Sequence, residues 1–259
     1  MATLFDRPPA REPKRRRGVF LLPSLLTVGN MFCGYACVVY AMRGRLDEAA
    51  PYIGVAIILD MLDGRIARMT NTTSAFGVEF DSLADVISFG VAPAVLAFAW
   101  GLEGLGQIGW AAGFIFMSAA AMRLARFNTQ TGTHPDKRYF IGMPTPAAAG
   151  IVAATVFAFP VLPSDSEGVL RATPAVALML VPAALMVSAI RFRSFKTINL
   201  GWGPSYAPLL LFILLVAVIA ARPRVTLLVM AYTYLISGFV EMAITRVRAR
   251  REGRPAASP

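Results

Sequence analysis

The chain is short of charge, of cysteine and of histidine. Only 15% of its 259 residues are charged, against about 25% in a typical soluble domain. Beside a hydrophobic fraction of 56% and a mean hydropathy of +0.60, that scarcity excludes an ordinary soluble enzyme and a disordered chain. The two cysteines, Cys33 and Cys37, make no disulfide scaffold. They lie one helical turn apart in an apolar run and read as reduced packing residues. The single histidine, His134, falls in a connecting loop and reads as solvated. The 18 prolines and 21 glycines follow no period, which excludes a collagen-like chain and suits membrane helices. No internal repeat at solenoid spacing is visible.

Long apolar runs are what the chain has instead. Eight segments approach the roughly 20 residues needed to cross a bilayer: 25–42, 49–69, 77–100, 105–127, 144–162, 173–190, 205–221 and 225–244. The expected fold is all-α, a polytopic transmembrane helix bundle of about eight spans. Segment 17–26 is basic at its start and interrupted by Pro23, and is expected to lie along the membrane surface. It lacks the small-residue cleavage site of a signal peptide. The net charge is +10, but the basic residues sit between the apolar runs and read as topology determinants. With the N-terminus in the cytoplasm, 20 of the 25 lysines and arginines fall on that side, so both termini are assigned there. The cluster Lys14, Arg15, Arg16, Arg17 then serves topology and attraction to anionic lipid. No aromatic residues interleave it, so no nucleic acid is expected. The chain divides into a basic tail (1–18), a core holding the surface segment and six spans (19–191), two additional spans (192–246) and a second basic tail (247–259).

Acids are rare, and they are not spread evenly. Five of the 15 fall in one hairpin, 59–85. Each ionisable group inside a membrane helix costs roughly 2.5–3.5 kcal/mol on insertion scales, so such a concentration reads as a functional site. Asp60 and Asp63 are spaced i, i+3; Asp81 and Asp85 are spaced i, i+4. Gly64, Ala67 and Gly77 extend the same stripes with small side chains, and Glu79 falls off them, a surface residue. The short polar connection 70–75 makes the two helices antiparallel neighbours. Four carboxylates are therefore expected to converge just inside the cytoplasmic boundary.

Like charges that close cannot all stay ionised without compensation. Arg68 supplies one positive charge; two divalent cations would supply four, one for each carboxylate. An all-oxygen donor set with no nearby His or Cys favours magnesium or manganese over zinc. A pair of such ions suits in-line displacement at phosphorus. The small residues beside them would leave room for a nucleotide diphosphate, although small-residue stripes also serve plain helix packing. A cation transporter is the competing class, but its carboxylates would recur in a second repeat, and these sit in a single hairpin.

The pattern Asp60-x2-Asp63-Gly64-x2-Ala67-Arg68-x8-Gly77-x3-Asp81-x3-Asp85 resembles the signature of the CDP-alcohol phosphatidyltransferases at all eight fixed positions. Stretches 22–34, 81–93, 123–128 and 142–147 are similar to the family's bacterial type II branch, whose acceptor alcohol is L-serine. The resemblance implies transfer of a phosphatidyl group from CDP-diacylglycerol to L-serine with release of CMP. It implies that Asp60, Asp63, Asp81 and Asp85 ligate two divalent cations, magnesium or manganese, and that Asp85 is also the general base. It implies that Gly64, Ala67, Arg68, Ser74 and Gly77 line the cytidine diphosphate site, with Pro23 and Ser24 beside it. Here the family's common Pro-Asn pair reads Pro23-Ser24. It implies a homodimer in the inner (plasma) membrane with its active site facing the cytoplasm. The signature itself does not choose among serine, choline, glycerol phosphate and inositol phosphate as acceptor. Arg123 and Arg126, spaced i, i+3 near the same boundary, are expected with Asn128 to bind the acceptor carboxylate or the donor phosphate. Arg191, Arg193 and Lys196 follow the positive-inside rule, and Glu241 has no assigned role.

Overall fold

Helix α1 (Leu21–Met42) runs unbroken from its first described residue. Residues 21–26 are its opening turns, continuous with the first expected span; residues 17–20 of the expected surface segment lie outside the described residues. Pro23 sits in the first turn, where the missing N–H has no intrahelical partner to lose. The computed structural model describes residues 21–70, 72, 74–130, 139–161, 169–188, 191–193 and 207–251. The tail 1–18, His134, Lys196 and residues 252–259 lie outside them, as do the side chains of Arg171, Arg191, Arg193 and Glu241.

Helix α2 (Leu46–Met69) returns along α1 after a tight turn. The turn depends on Gly44, whose φ of +72° is cheap only for glycine and whose N–H closes on Ala41 O at 2.9 Å. The α1–α2 seam is lined with small residues. Cys33, Cys37 and Ala41 of α1 share one buried cluster with Ala49, Ala50, Ile53 and Ala56 of α2, and such residues let helix backbones approach closely. At the turn end, Arg45 pairs with Glu48 and lies 5.0 Å over the Tyr40 ring, which stacks on Tyr52.

The third expected span is a longer and less regular rod. It comprises α3 (Ala75–Asp85), a π-helical stretch Val86–Val91, α4 (Ala92–Ala97), a second π stretch Phe98–Leu102 and a closing turn Glu103–Leu105. Together they make 31 residues, Ala75–Leu105. Pro93 follows the first π stretch and has no N–H to give the carbonyl four residues back, one physical reason the α-helical ladder slips there.

Helix α5 (Gln107–Gln130) follows, then β1 (Tyr139–Ile141), α6 (Thr145–Ala158), α7 (Val169–Val187), β2 (Arg191–Arg193), α8 (Ala207–Ala221) and α9 (Pro223–Arg251). Helix α6 is the centre of the bundle. Its Ala148, Ala149, Ile151, Val152 and Val156 are almost wholly buried, against α2, α4, α7 and α9. The all-α expectation holds for the body. Its one addition is a three-residue antiparallel ladder, Tyr139 opposite Arg193 through Ile141 opposite Arg191, which ties the approach to α6 to the exit of α7.

Among the described residues, each of the eight expected segments overlaps helix, with boundaries that differ by a few residues. Four helical stretches among the described residues are long and apolar enough to cross a membrane: Pro23–Met42, Ala75–Leu105, Gln107–Thr129 and Pro223–Val240. The apolar stretches Thr145–Ala158, Thr173–Val187 and Leu209–Ala221 are shorter. Helix α2 has the length, 24 residues, but carries the acids. The α8–α9 hairpin stands at the periphery with Leu209, Leu210, Ile213 and Leu214 exposed, as a lipid-facing surface requires. Helix α9 is held to α6 by Tyr232 Oη, 3.2 Å from Thr155 Oγ1, and by Arg224 over the Phe157 ring.

Candidate active site in the acidic hairpin

Short-range chemistry builds the hairpin. The end of α2 is closed by Thr70, whose N–H and hydroxyl both bond Ile66 O. Thr72 N–H bonds Ala67 O, and the two threonine hydroxyls lie 2.7 Å apart. Ser74 then caps α3, its Oγ accepting from Gly77 N–H at 3.0 Å. The chain thus turns back within a few residues, and α2 and α3 both pack against α1, so that their carboxylates reach one another across the hairpin.

Three carboxylates meet as a result. Asp60, Asp63 and Asp81 each offer an oxygen within 4.8 Å of the others. Asp63 is 3% exposed, whereas Asp60 and Asp81 are half-buried. The fourth, Asp85, is not part of that close group; it lies one helical turn further along, 7% exposed and within electrostatic range of the other three. Its Oδ1 accepts from Asn30 Nδ2 at 3.1 Å.

A divalent cation fits this donor set. The converging atoms are all carboxylate oxygens, hard ligands of the kind magnesium and manganese take. Asp81 Oδ1 is buried with no hydrogen-bond partner. So much like charge, with only Arg68 on the same stripe, calls for a cationic counterpart.

Helix α1 contributes two polar residues that sequence reasoning missed as site residues. Thr27 Oγ1 lies 2.9 Å from Asp63 Oδ2 and 3.1 Å from Pro23 O. Asn30 is wholly buried and reaches Asp85. The signal for them was the i, i+3 spacing of two polar side chains on an otherwise apolar helix. Ser88, in the π stretch, donates to the backbone carbonyl of Asn30 at 2.9 Å. Gly34 allows the approach: a Cβ there would lie 2.6 Å from Ser88 Oγ and 2.8 Å from Ser88 Cα.

The remaining expected residues surround the acids in different ways. A Cβ on Gly64 would sit 3.4 Å from Arg68 Nη1, so the exposed guanidinium lies beside that glycine. Pro23, Ala67 and Gly77 are half-buried and Ser24 is exposed. Ser74 is occupied in capping α3. Arg123 turns into the bundle, its Nη1 donating to Thr145 Oγ1 at 3.0 Å, its Nε buried without a partner, and Asp85 and Tyr234 within electrostatic range. Asn128 Nδ2 donates to Ser82 Oγ at 2.8 Å and ties α5 to α3. Arg126, one turn further along α5, is exposed.

A helix bundle with membrane-length spans and a partly buried carboxylate cluster at one hairpin defines a membrane-protein class with an acidic site that could hold a metal. The chain belongs to the CDP-alcohol phosphatidyltransferase family: residues 20–190, more than half of it, match the family model. It is 38% identical over 233 residues to the CDP-diacylglycerol–serine O-phosphatidyltransferase of Helicobacter pylori (strain ATCC 700392 / 26695), covering 89% of this chain and 94% of that one. It is 33% identical over 175 residues to the protein of the same name from Bacillus subtilis (strain 168), 68% of this chain and 91% of that one. The archaetidylserine synthase of Methanothermobacter thermautotrophicus is 33% identical over 181 residues, 69% of this chain and 72% of the relative.

Proposed function

We propose that the protein transfers a phosphatidyl group from CDP-diacylglycerol to the hydroxyl of L-serine, releasing CMP. The observation that carries this reading is the meeting of Asp60, Asp63 and Asp81 oxygens from α2 and α3, with Asp85 one turn away. The serine in the names of the relatives supports the acceptor.

In this reading Asp85 takes the proton of the serine hydroxyl as its oxygen attacks the phosphatidyl phosphorus and the bond to CMP breaks. A serine hydroxyl is a weak nucleophile at neutral pH, so a positioned base is required. Two divalent cations, magnesium or manganese, held by Asp60, Asp63, Asp81 and Asp85, supply neutralisation of the pyrophosphate and of the departing CMP. Gly64, Ala67, Arg68, Ser74 and Gly77 line the cytidine diphosphate site, with Pro23 and Ser24 at its side. Arg123, half-buried and with its buried Nε unpartnered, binds the serine carboxylate or the donor phosphate. Arg126 and Asn128 belong to the same acceptor region.

The protein is read as a multi-pass component of the inner (plasma) membrane with about eight crossings. Residues 19–191 form the catalytic core and 192–246 two additional spans. The lysine and arginine asymmetry supports cytoplasmic termini and an active site at the cytoplasmic boundary, where acyl chains stay in lipid while the headgroup meets water-soluble serine. A homodimer rests on the family resemblance. The test is a panel of radiolabelled acceptors with CDP-diacylglycerol: label should enter lipid from serine. Transfer to choline, glycerol phosphate or inositol phosphate, with none to serine, would overturn the acceptor assignment.

A further inference from the structure

The polar face of α1 carries more than packing. We propose that Asn30 is the positioning residue of Asp85, holding one carboxylate oxygen so that the other faces the acceptor hydroxyl. The proposal rests on the reading of Asp85 as general base.

Three observations support it. Asn30 is 0% exposed inside a membrane helix, where an amide is expensive unless it is used. Its use is one-sided: Nδ2 donates to Asp85 Oδ1 at 3.1 Å, while its own Oδ1 is buried without a partner. An asparagine placed only to tie helices together would satisfy both ends of its amide; this one presents its N–H to an anion and leaves its acceptor unspent. Finally, the backbone of Asn30 is itself clamped. Its carbonyl accepts from Ser88 Oγ at 2.9 Å, three residues beyond Asp85. The close approach at Gly34 seats α1 on that same π stretch, with a hypothetical Cβ only 3.1 Å from Ser88 N. Helix α1 therefore grips the chain at Asp85 itself, through the carboxylate, and again at the turn that follows it. The neighbouring Thr27–Asp63 bond at 2.9 Å repeats the device on the other arm of the hairpin.

The amide bond fixes the carboxylate rotamer, so the oxygen left over is the one that can receive a proton. Losing such an oriented bond should act on turnover rather than on substrate binding.

The test is steady-state CMP release by purified, detergent-solubilised protein with CDP-diacylglycerol, L-serine and manganese. Asn30→Ala removes the amide; Asn30→Asp keeps the volume but replaces the donor with an acceptor, and serves where the cavity left by alanine compromises folding. For each, kcat should fall about 10–100-fold, the usual effect of losing such a supporting bond, while both KM values and CDP-diacylglycerol affinity stay within about threefold. A purely structural asparagine would instead lower the folded fraction or lipid affinity with kcat per folded molecule unchanged, and that result overturns the proposal. Asp85→Asn is measured alongside. If it is inactive while both Asn30 variants turn over normally, Asn30 alone is misassigned. If Asp85→Asn itself turns over near the wild-type rate, the base assignment fails and the positioning role falls with it.

Discussion

The contact between Gly34 and Ser88 makes a sharp prediction for Gly34→Ala. The new methyl would sit 2.6 Å from Ser88 Oγ, 2.8 Å from Ser88 Cα and 3.1 Å from Ser88 N. Two of these atoms are backbone and cannot rotate away. Restoring an ordinary carbon contact of about 3.5–4.0 Å requires α1 to withdraw by roughly 0.7–1.2 Å. Overpacking of this kind costs about 1–3 kcal/mol, or a loss of about 2–12 °C in Tm for a chain of this size. The withdrawal also strains the bonds from Ser88 Oγ to Asn30 O at 2.9 Å and from Asn30 Nδ2 to Asp85 Oδ1 at 3.1 Å. Turnover should therefore fall by more than the lost stability explains. The assay is a thermal melt in detergent beside CMP release normalised to folded protein. Gly54→Ala is the control: that glycine is exposed in α2, a Cβ there meets nothing within 4 Å, and its Tm should hold or rise. An unchanged Tm and an unchanged kcat for Gly34→Ala would refute the seating of α1 against the π stretch.

Other expectations follow from the same geometry. Thr27→Val keeps the shape but removes the hydroxyl 2.9 Å from Asp63, and should raise the half-saturating manganese concentration about 10-fold or more in a metal titration of CMP release. Trp100→Phe removes the indole N–H bonded to Phe159 O at 2.6 Å, far along the rod from the acids, and should cost about 0.5–1.5 kcal/mol in a melt with turnover unaffected. Arg123→Ala should raise the serine KM more than Arg126→Ala does, since Arg123 is half-buried within electrostatic range of Asp85 and Arg126 is exposed; an unchanged KM in both variants would place neither in the acceptor site. A chelator should abolish CMP release, and added magnesium or manganese should restore it.

The acidic hairpin was legible because charge is so costly in an apolar helix that its i, i+3 and i, i+4 spacing stands out. The short connection at Thr70–Ser74 brings three of the four carboxylates together, but the two helices do so by packing on α1 and not as the direct neighbours that the sequence suggested. What was not legible is the depth of Asp85. It lies at the junction of α3 with a π stretch, and no composition signal announces where a helix takes up an extra residue. Thr27 and Asn30 were hidden for a different reason: polar but uncharged residues are common in membrane helices, and only the fold shows that they touch Asp63 and Asp85. Pro23 misled in the opposite direction, reading as a break when its place in the first turn of α1 makes it harmless. The β1–β2 ladder joins two three-residue segments some fifty positions apart, too short for a periodic pattern to register.

The most direct measurement is a manganese titration of the purified protein, followed by electron paramagnetic resonance, for the wild type and for the variant Asp60→Asn, Asp63→Asn, Asp81→Asn. The wild type should take up about two manganese ions per chain, as a paired-metal phosphoryl-transfer site requires, and the variant none with measurable affinity. Equal uptake by both proteins would contradict the assignment of these carboxylates as the seat of the metal.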